Sequence, residues 1–129
     1  MTFRSLVERE LLIRRTRNPR YSLRAFALAL GADHSTLSQI IRGRRRATTR
    51  VIRSLGPKIG MHAADIEAAC AVENDDAVLL AIARPAFRPD TRWIATVAGI
   101  TIDEVNVALQ RLLYRGAIAM SARNEWRVL

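Results

Sequence analysis

Asp33, His34 and Ser35 are consecutive and have the residue types of a hydrolase catalytic triad. Consecutive helical side chains point about 100° apart, so these three cannot converge on one substrate atom. The sequence has no glycine-rich phosphate loop, and Cys70, its single cysteine, excludes an intrachain disulfide. His34 and His62 are far apart in sequence, which argues against a zinc site. We therefore expect no catalytic residues, no metal and no cofactor.

The polar residues between positions 34 and 39 suit a different chemistry. A helix in the major groove of DNA can present such side chains to base edges, and a glutamine can form two hydrogen bonds with adenine. The candidate base-reading residues are His34, Ser35, Thr36, Ser38 and Gln39. The hydroxyl groups of Thr36 and Ser38 can instead contact phosphate or bond back to their own helix.

Cations follow these polar residues and suit phosphate oxygens. The candidate phosphate-binding arginines after the polar helix are Arg42, Arg44, Arg45, Arg46 and Arg50. Thr48 and Thr49, at the beginning of the next expected helix, can add contacts to phosphate. A run such as 44–46 is also typical of a solvated loop, but its position directly after the polar helix favours a role in binding.

Two short helices and a tight turn are expected to position these residues. Ser22 and Asp33 are suitable N-caps, and Gly31 can end the first helix in the left-handed conformation without a Cβ clash. The positions expected to face inward are Phe26, Ala27 and Leu30 in the first helix and Leu37, Ile40 and Ile41 in the second.

This pattern resembles the helix-turn-helix of the Cro-type (XRE, phage-repressor-like) DNA-binding family. An alanine in the first helix, a glycine in the turn and a Ser-Thr-Leu-Ser run in the second helix recur in that family, and here they are Ala27, Gly31 and residues 35–38. The resemblance extends from the N-terminus to about residue 60. It implies that residues 20–50 recognise double-stranded DNA, with Arg20 near the phosphate backbone.

The charge distribution agrees with a polyanionic partner. The chain has 129 residues and a formal net charge of +9. Residues 1–60 contain 14 Lys and Arg against 3 Asp and Glu, whereas residues 61–129 contain 7 against 9. A basic membrane-surface helix would need Phe and Trp gathered on its apolar side, and the basic half lacks this arrangement. Excess charge confined to the helix-turn-helix half is expected of a nucleic-acid-binding surface.

The N-terminus is charged, and no apolar run is long enough for a signal peptide or a membrane span. The sequence therefore predicts a soluble, cytoplasmic protein that associates with the nucleoid and does not bind a membrane.

Further helices are expected around this motif. The first would run from Phe3 to about Thr16, another from about Thr48 to Ile59, and a short connecting helix from Ala63 to Val72. Gly56-Pro57 would end the second of these near Leu55 or kink it. Residues 74–76, Asn-Asp-Asp, would then cap a new helix that ends at Arg84-Pro85.

The second half of the chain repeats the helix-turn-helix pattern. Residues 24–33 and 92–101 match at a constant offset of 68 positions, with Ala27 over Ala95, Gly31 over Gly99 and Leu37 over Val105. Thr101 and Glu104 form an expected capping box. The expected apolar side of the helix after it is Val105, Leu109, Leu112 and Leu113. Alternating apolar residues between 118 and 128, with a turn at about Ala122 to Asn124, predict a β-hairpin.

Residues 75–129 therefore resemble the winged helix-turn-helix class. The whole chain is predicted to be mainly α, with a Cro-type domain over 1–72 and a winged-helix-like domain over 73–129 that ends in a β-hairpin. Asp103 and Glu104 lie at the leading edge of the second repeated helix, where carboxylates would repel phosphate. We expect this domain to serve dimerisation or structure rather than to read DNA.

A homodimer formed through the C-terminal half is expected, because this half is near neutral whereas the basic half would repel itself. Candidate interface residues are Trp93, Leu112, Tyr114 and Trp126, although Trp93 and Trp126 can equally fill the core of their own domain.

The sequence thus predicts a sequence-specific transcription regulator that binds double-stranded DNA, with repression the expected action. An RNA-binding module, a protein-interaction adaptor and an antitoxin-type autoregulator are the alternatives. RNA readers usually offer exposed aromatic rings, and the basic half has only Phe3, Tyr21 and Phe26. An adaptor would have no need of the arginine cluster. A stand-alone repressor, a phage-type regulator and an antitoxin would share all these features.

Overall fold

The computed structural model describes residues 2–121, Arg123 and residues 125–129. This part of the protein is mainly helical, with one small antiparallel hairpin. The helices are α1 (Phe3–Arg17), α2 (Leu23–Leu30), α3 (His34–Ile41), α4 (Thr49–Leu55), a short 3-10 helix (Gly56–Ile59), α5 (Ala63–Ile82), α6 (Thr91–Ala98) and α7 (Ile102–Tyr114), and the strands are β1 (Ile118–Met120) and β2 (Trp126–Val128). The chain forms two compact units, residues 1–70 and 71–129. No helix in the described residues combines the length and apolar character that a membrane crossing requires.

The first unit has a core to which each of its helices contributes apolar side chains. From α1, the buried side chains are Phe3, Val7 and Leu11, which recur at the spacing of one helical face. The expected inward residues of α2 and α3 are buried, except that Ile41 is only half-buried. Core positions contributed by these two helices are Phe26, Ala27, Leu30, Leu37 and Ile40. The sequence predictions for these three helices are confirmed.

The fourth helix ends at Leu55, as Gly56-Pro57 predicts, and the chain continues as the 3-10 helix. Gly56 is buried, and a Cβ at this position would lie only 2.9 Å from Cγ1 of Ile66. Close packing against α5 therefore explains the glycine, and the proline after it explains the change of helix type.

The predicted helix break at residues 73–74 is wrong, because α5 is continuous from Ala63 to Ile82 and contains the predicted domain boundary. The side chains of Asn74 and Asp75, which were predicted to cap a new helix, instead bind residues of α7. Nδ2 of Asn74 donates to Oε2 of Glu104 at 3.0 Å, and Asp75 accepts hydrogen bonds from Nε and Nη2 of Arg111 at 3.0 and 2.8 Å. Asn74 and Asp75 are buried, and since tertiary partners satisfy them, they do not interrupt the helix.

The internal repeat is present in the structure with the register that the sequence predicts. Helices α2 and α6 each have eight residues and begin 68 positions apart, and α3 and α7 also begin 68 positions apart. Gly31 has φ 65° and Gly99 has φ 72°, so both turns use the left-handed conformation that glycine adopts without a Cβ clash. The predicted capping box of Thr101 and Glu104 is formed.

In the second unit, β1 and β2 pair antiparallel with Ile118 opposite Val128. Phe87 packs its ring against those of Trp93 and Trp126, with centroids 5.8 and 5.7 Å away. The two tryptophans thus pack against the core of their own unit, which is the alternative to a place at the dimer interface. Ala122 and Asn124, in the predicted turn, lie outside the described residues.

Two expectations about α7 are wrong. Leu112 is fully buried at 0% exposure, so it cannot contact a partner subunit from this position. Leu113, which was expected to face inward, is 42% exposed because it lies about 100° further around the helix than Leu112.

Candidate nucleic-acid interface

Helix α3 presents a polar row to solvent on the side opposite its core residues. Ser35, Gln39 and Arg42 follow the i, i+4, i+7 spacing of one helical face, and all three are exposed. On the other side, Leu37 and Ile40 are only 1% and 2% exposed. The helix is therefore held by apolar packing while its outer row remains accessible to a partner.

The beginning of α3 is fixed by its cap. The carboxylate of Asp33 accepts from the backbone N–H and from the hydroxyl group of Thr36, both at 3.0 Å. The backbone hydrogen bond, followed by that of the hydroxyl, lowers the pKa of Asp33 below its usual value. Nη1 of Arg45 also donates to the hydroxyl oxygen of Thr36 at 3.4 Å. The Thr36 hydroxyl therefore bonds to the cap of its own helix and to the following loop.

The end of α3 folds the arginine segment back onto the helix. The carbonyl oxygen of Gln39 accepts from the backbone N–H groups of Arg44 and Arg45 at 2.9 and 3.2 Å. This reversal uses φ 73° at Gly43, a left-handed conformation that suits glycine. The backbone of residues 44 and 45 is thus fixed to the backbone of Gln39, the residue predicted to read a base.

Arg4 of α1 supports this end of the helix. Its Nε donates to the carbonyl oxygen of Ile41 at 2.9 Å and pairs with Glu8 Oε1 at 3.2 Å. A Cβ at Gly43 would lie 2.6 Å from Nη1 of Arg4. Arg4 therefore satisfies a carbonyl group at the C-terminus of α3 and packs against the loop, which positions both.

Lys58 supports the turn between α2 and α3. Its Nζ donates to the carbonyl oxygen of Leu30 at 2.7 Å, directly before Gly31. A cation at a helix C-terminus interacts favourably with the unpaired carbonyl groups there. The sequence pattern does not indicate this role, because Lys58 is 28 positions from Leu30. For Arg4, only the ion pair with Glu8, one helical turn away, has a signal in the sequence.

Some arginines near the expected phosphate-binding surface stabilise the fold through contacts within the protein. Arg14 pairs with Glu10 Oε1 at 3.1 Å, donates to the Tyr21 hydroxyl at 3.1 Å and lies 5.2 Å from the centre of the Phe26 ring. The Tyr21 hydrogen bond is the main cause that raises the pKa of Arg14. Nε of Arg15 donates to the Tyr21 carbonyl at 3.2 Å. These two arginines fix the loop that carries Arg20.

The exposed arginines differ from Arg14 and Arg15 in their contacts. Arg20, Arg42, Arg44 and Arg50 are exposed, and within the described ranges no carboxylate lies at ion-pair distance from them. Arg45 and Arg46 are also exposed. Their placement leaves a basic surface on the outside of the unit.

The remaining predicted residues are less directly placed for binding. Thr48 caps α4 by accepting from the backbone N–H of Val51 at 3.3 Å, and Thr49 is half-buried. His34, the first residue of α3, and Ser38 are half-buried. Hydrogen bonds join α3 to residues 44 and 45, whereas none seen in the described part of the chain joins it to Arg20 or Arg50.

No family model, curated protein sequence or solved structure matches this chain. The resemblances to the Cro-type and winged helix-turn-helix families therefore stay predictions. Function has to be argued from the α3 surface and its charges.

Proposed function

We propose that this protein is a sequence-specific transcription regulator that places α3 in the major groove of double-stranded DNA. The observation that carries the proposal is the exposed row of Ser35, Gln39 and Arg42 on a helix whose other side is buried. A helix of this kind can enter the groove without losing its own packing.

The side chains of this row suit distinct contacts. Gln39 has an amide group that can pair with both N6 and N7 of adenine, and Ser35 can bond to either a base edge or a phosphate. His34 lies at the leading end of the helix, where base contacts of this class are made. Arg42, Arg44 and Arg45 supply cations at the other end, where phosphate oxygens accept from guanidinium groups.

The aromatic residues of the first unit favour a duplex over single-stranded RNA. Phe3 and Phe26 are 3% and 0% exposed, and the Tyr21 hydroxyl accepts from Arg14. Because unstacked bases need accessible rings, these residues provide a poor platform for single strands. The described residues contain no group of three or more His, Cys, Asp or Glu that could hold a metal ion.

The regulator is proposed to be a cytoplasmic homodimer that associates with the nucleoid and acts as a repressor. One helix in one half-site contacts few base pairs, and pairing through the near-neutral second unit would supply a second helix. Half-sites about one helical turn, roughly 34 Å, apart would then be read together.

Selection of bound duplexes from a random pool tests the proposal. We expect enrichment of an inverted repeat with half-sites separated by about 10 base pairs or a multiple of that. Single-stranded DNA and RNA of the enriched sequence serve as competitors and should bind more weakly at the same salt concentration. A pool without enrichment, or tighter binding of the single strands, would contradict sequence-specific duplex recognition.

A further inference from the structure

The internal repeat allows α7 to be compared with α3 position by position. Each helix begins directly after a residue whose side chain caps it, Asp33 for α3 and Thr101 for α7. In each case a glycine in the left-handed conformation lies two residues before the cap. The residues of α3 and its following loop that match α7 are His34 with Ile102, Ser35 with Asp103, Gln39 with Val107, Arg42 with Gln110, and Arg46 with Tyr114. The face that is polar and basic in the first unit is therefore acidic and apolar in the second.

The outward face of α7 is accessible and contains two apolar side chains. Val107 is 49% exposed and Tyr114 is 96% exposed. Asp103 and Gln110, which lie on the same side of the helix, are exposed too. Leu113 is 42% exposed, but it lies about 120° around the helix from Val107 and is not part of this face. An exposed aromatic and an exposed aliphatic side chain on one face suit a protein contact. Asp103 and the absence of a cation among these four residues do not suit phosphate.

The four residues of this face form one row along the helix. Asp103, Val107, Gln110 and Tyr114 are separated by four, three and four positions, so they can lie together against a partner helix. Two of the four are polar, so the row is not the apolar seam of a coiled coil. A partner with the same spacing would interdigitate with it, and a second copy of α7 meets this requirement.

We propose that two copies of this chain pair antiparallel through α7 across a two-fold axis. Antiparallel pairing places Asp103 of one copy opposite Tyr114 of the other, so that the phenol hydroxyl can donate to the carboxylate. The two Val107 side chains lie beside the axis, each facing the stem of Gln110 from the other copy. An isologous interface must be self-complementary, and this register satisfies that condition.

The charges at the two ends of α7 support the antiparallel direction. Asp103 is in the first turn, whereas Arg115 directly follows the helix. Nη1 of Arg115 lies 4.0 Å from Oδ2 of Asp75 in its own chain, and the Arg115 side chain remains 52% exposed. Antiparallel pairing brings each acidic end near the basic end of the other copy. Parallel pairing would put the two Asp103 carboxylates together, which is unfavourable.

The size of the face sets the expected strength of the pairing. Helix α7 has 13 residues, and at about 1.5 Å per residue it is roughly 20 Å long. One helix pair of this length buries less than the roughly 1,200–2,000 Å² of stable interfaces, so we expect a dissociation constant on the order of micromolar. Occupancy of two half-sites would then stabilise the dimer on DNA. Its use on DNA rests on the proposed function, whereas the pairing itself is measured without DNA.

Sedimentation equilibrium of the full chain, free of DNA, tests the pairing. Val107→Glu is expected to raise the dimer dissociation constant by about tenfold or more, because it places charge beside the axis. The matched control is Leu80→Glu on α5, whose side chain is 59% exposed in the same unit and which should leave the constant unchanged. Wild-type protein that stays monomeric at about 500 μM, well above the expected micromolar range, or equal effects of the two variants would overturn the proposal.

Binding to an isolated half-site duplex separates this proposal from the function proposed above. Val107→Glu should bind the half-site as wild type does, because α7 makes no DNA contact in this arrangement; weaker binding would count against a protein-contact role for α7. If wild type dimerises but binds no duplex, the regulator function fails and the pairing stands.

Disulfide trapping tests the direction of the two helices. A tagged Asp103→Cys chain mixed with a Tyr114→Cys chain should form mixed cross-linked dimers under mild oxidation. Native Cys70 is buried and gives the background from wild type. Links formed only between identical variants would overturn the antiparallel arrangement.

Discussion

Arginines of the first unit form two groups that differ in what their guanidinium groups contact. Arg4 and Arg14 have carboxylate and oxygen partners that tie α1 to the end of α3 and to the loop before α2. Arg42, at the end of the outer row of α3, and Arg44, two residues further on, are exposed. Loss of an arginine from the first group should weaken DNA binding through the fold, whereas loss from the second should act on phosphate contacts alone.

Gln39 is the residue whose replacement best tests base recognition. Gln39→Ala should cost on the order of 1–3 kcal/mol on the selected site, because the bidentate contact with adenine is lost. Its side chain is exposed, so the free energy of unfolding should change by less than about 0.5 kcal/mol. Fluorescence anisotropy titrations with the selected duplex and a scrambled duplex measure the difference. Equal weakening on both duplexes would show that Gln39 does not read a base.

The helices of this chain show which elements local sequence determines. Caps at Ser22, Asp33 and Thr101 and turns at Gly31 and Gly99 depend on neighbouring residues, and both helix-turn-helix segments appear at the predicted positions. Helical periodicity also separates the exposed Ser35 and Gln39 from the core, whereas His34, Thr36 and Ser38, which were candidates too, are half-buried.

The predictions that failed depend on contacts between distant residues. Asn74 and Asp75 have the composition of a cap, but partners 30 and 36 positions away satisfy them and α5 continues. Likewise, Arg4 reaches a carbonyl group 37 positions away and Lys58 one that is 28 positions away. Such tertiary partners override a local preference for ending a helix and have no periodic signal in a single sequence.

Asp75→Asn distinguishes the ion pair from a helix cap. Asparagine caps helices as well as aspartate does, so a capping role predicts little change in stability. In the structure Asp75 is 5% exposed and binds Arg111 through two nitrogen atoms. Removing this charge should therefore lower the free energy of unfolding by roughly 1.5–3 kcal/mol.

Urea denaturation followed by circular dichroism measures this change. Asp65→Asn on the same helix is the control, because Asp65 is exposed and its loss should cost no more than about 1 kcal/mol through the helix dipole. Asp75 also lies 4.0 Å from Arg115, so equal stabilities of the two variants would mean that the ion pairs of Asp75 with Arg111 and Arg115 contribute no net stability.

The charge of the protein is distributed unequally between its two units. The cations in excess belong to residues 1–60, and the second half has a small excess of carboxylates. Under the proposed function, this separation would favour approach to DNA through the first unit. In the proposed dimer, the α7 face would be free of the repulsion that a second basic surface would cause. One chain can therefore combine a surface for a polyanion with a surface for its own copy.

Salt dependence of binding tests this division of charge. The double substitution Arg44→Gln and Arg45→Gln should weaken binding to every duplex and reduce the slope of log affinity against log salt by about two, because each phosphate contact releases about one counterion. The matched control, Arg88→Gln with Arg92→Gln, removes the same charge from exposed positions of the second unit. The control should leave the slope within about 0.5 of wild type, since charges without a phosphate contact release no bound counterion. Equal slopes for wild type and the Arg44/Arg45 variant would indicate that residues 44–45 form a solvated loop. An equal reduction of the slope in this variant and in the control would indicate that the second unit also contacts DNA.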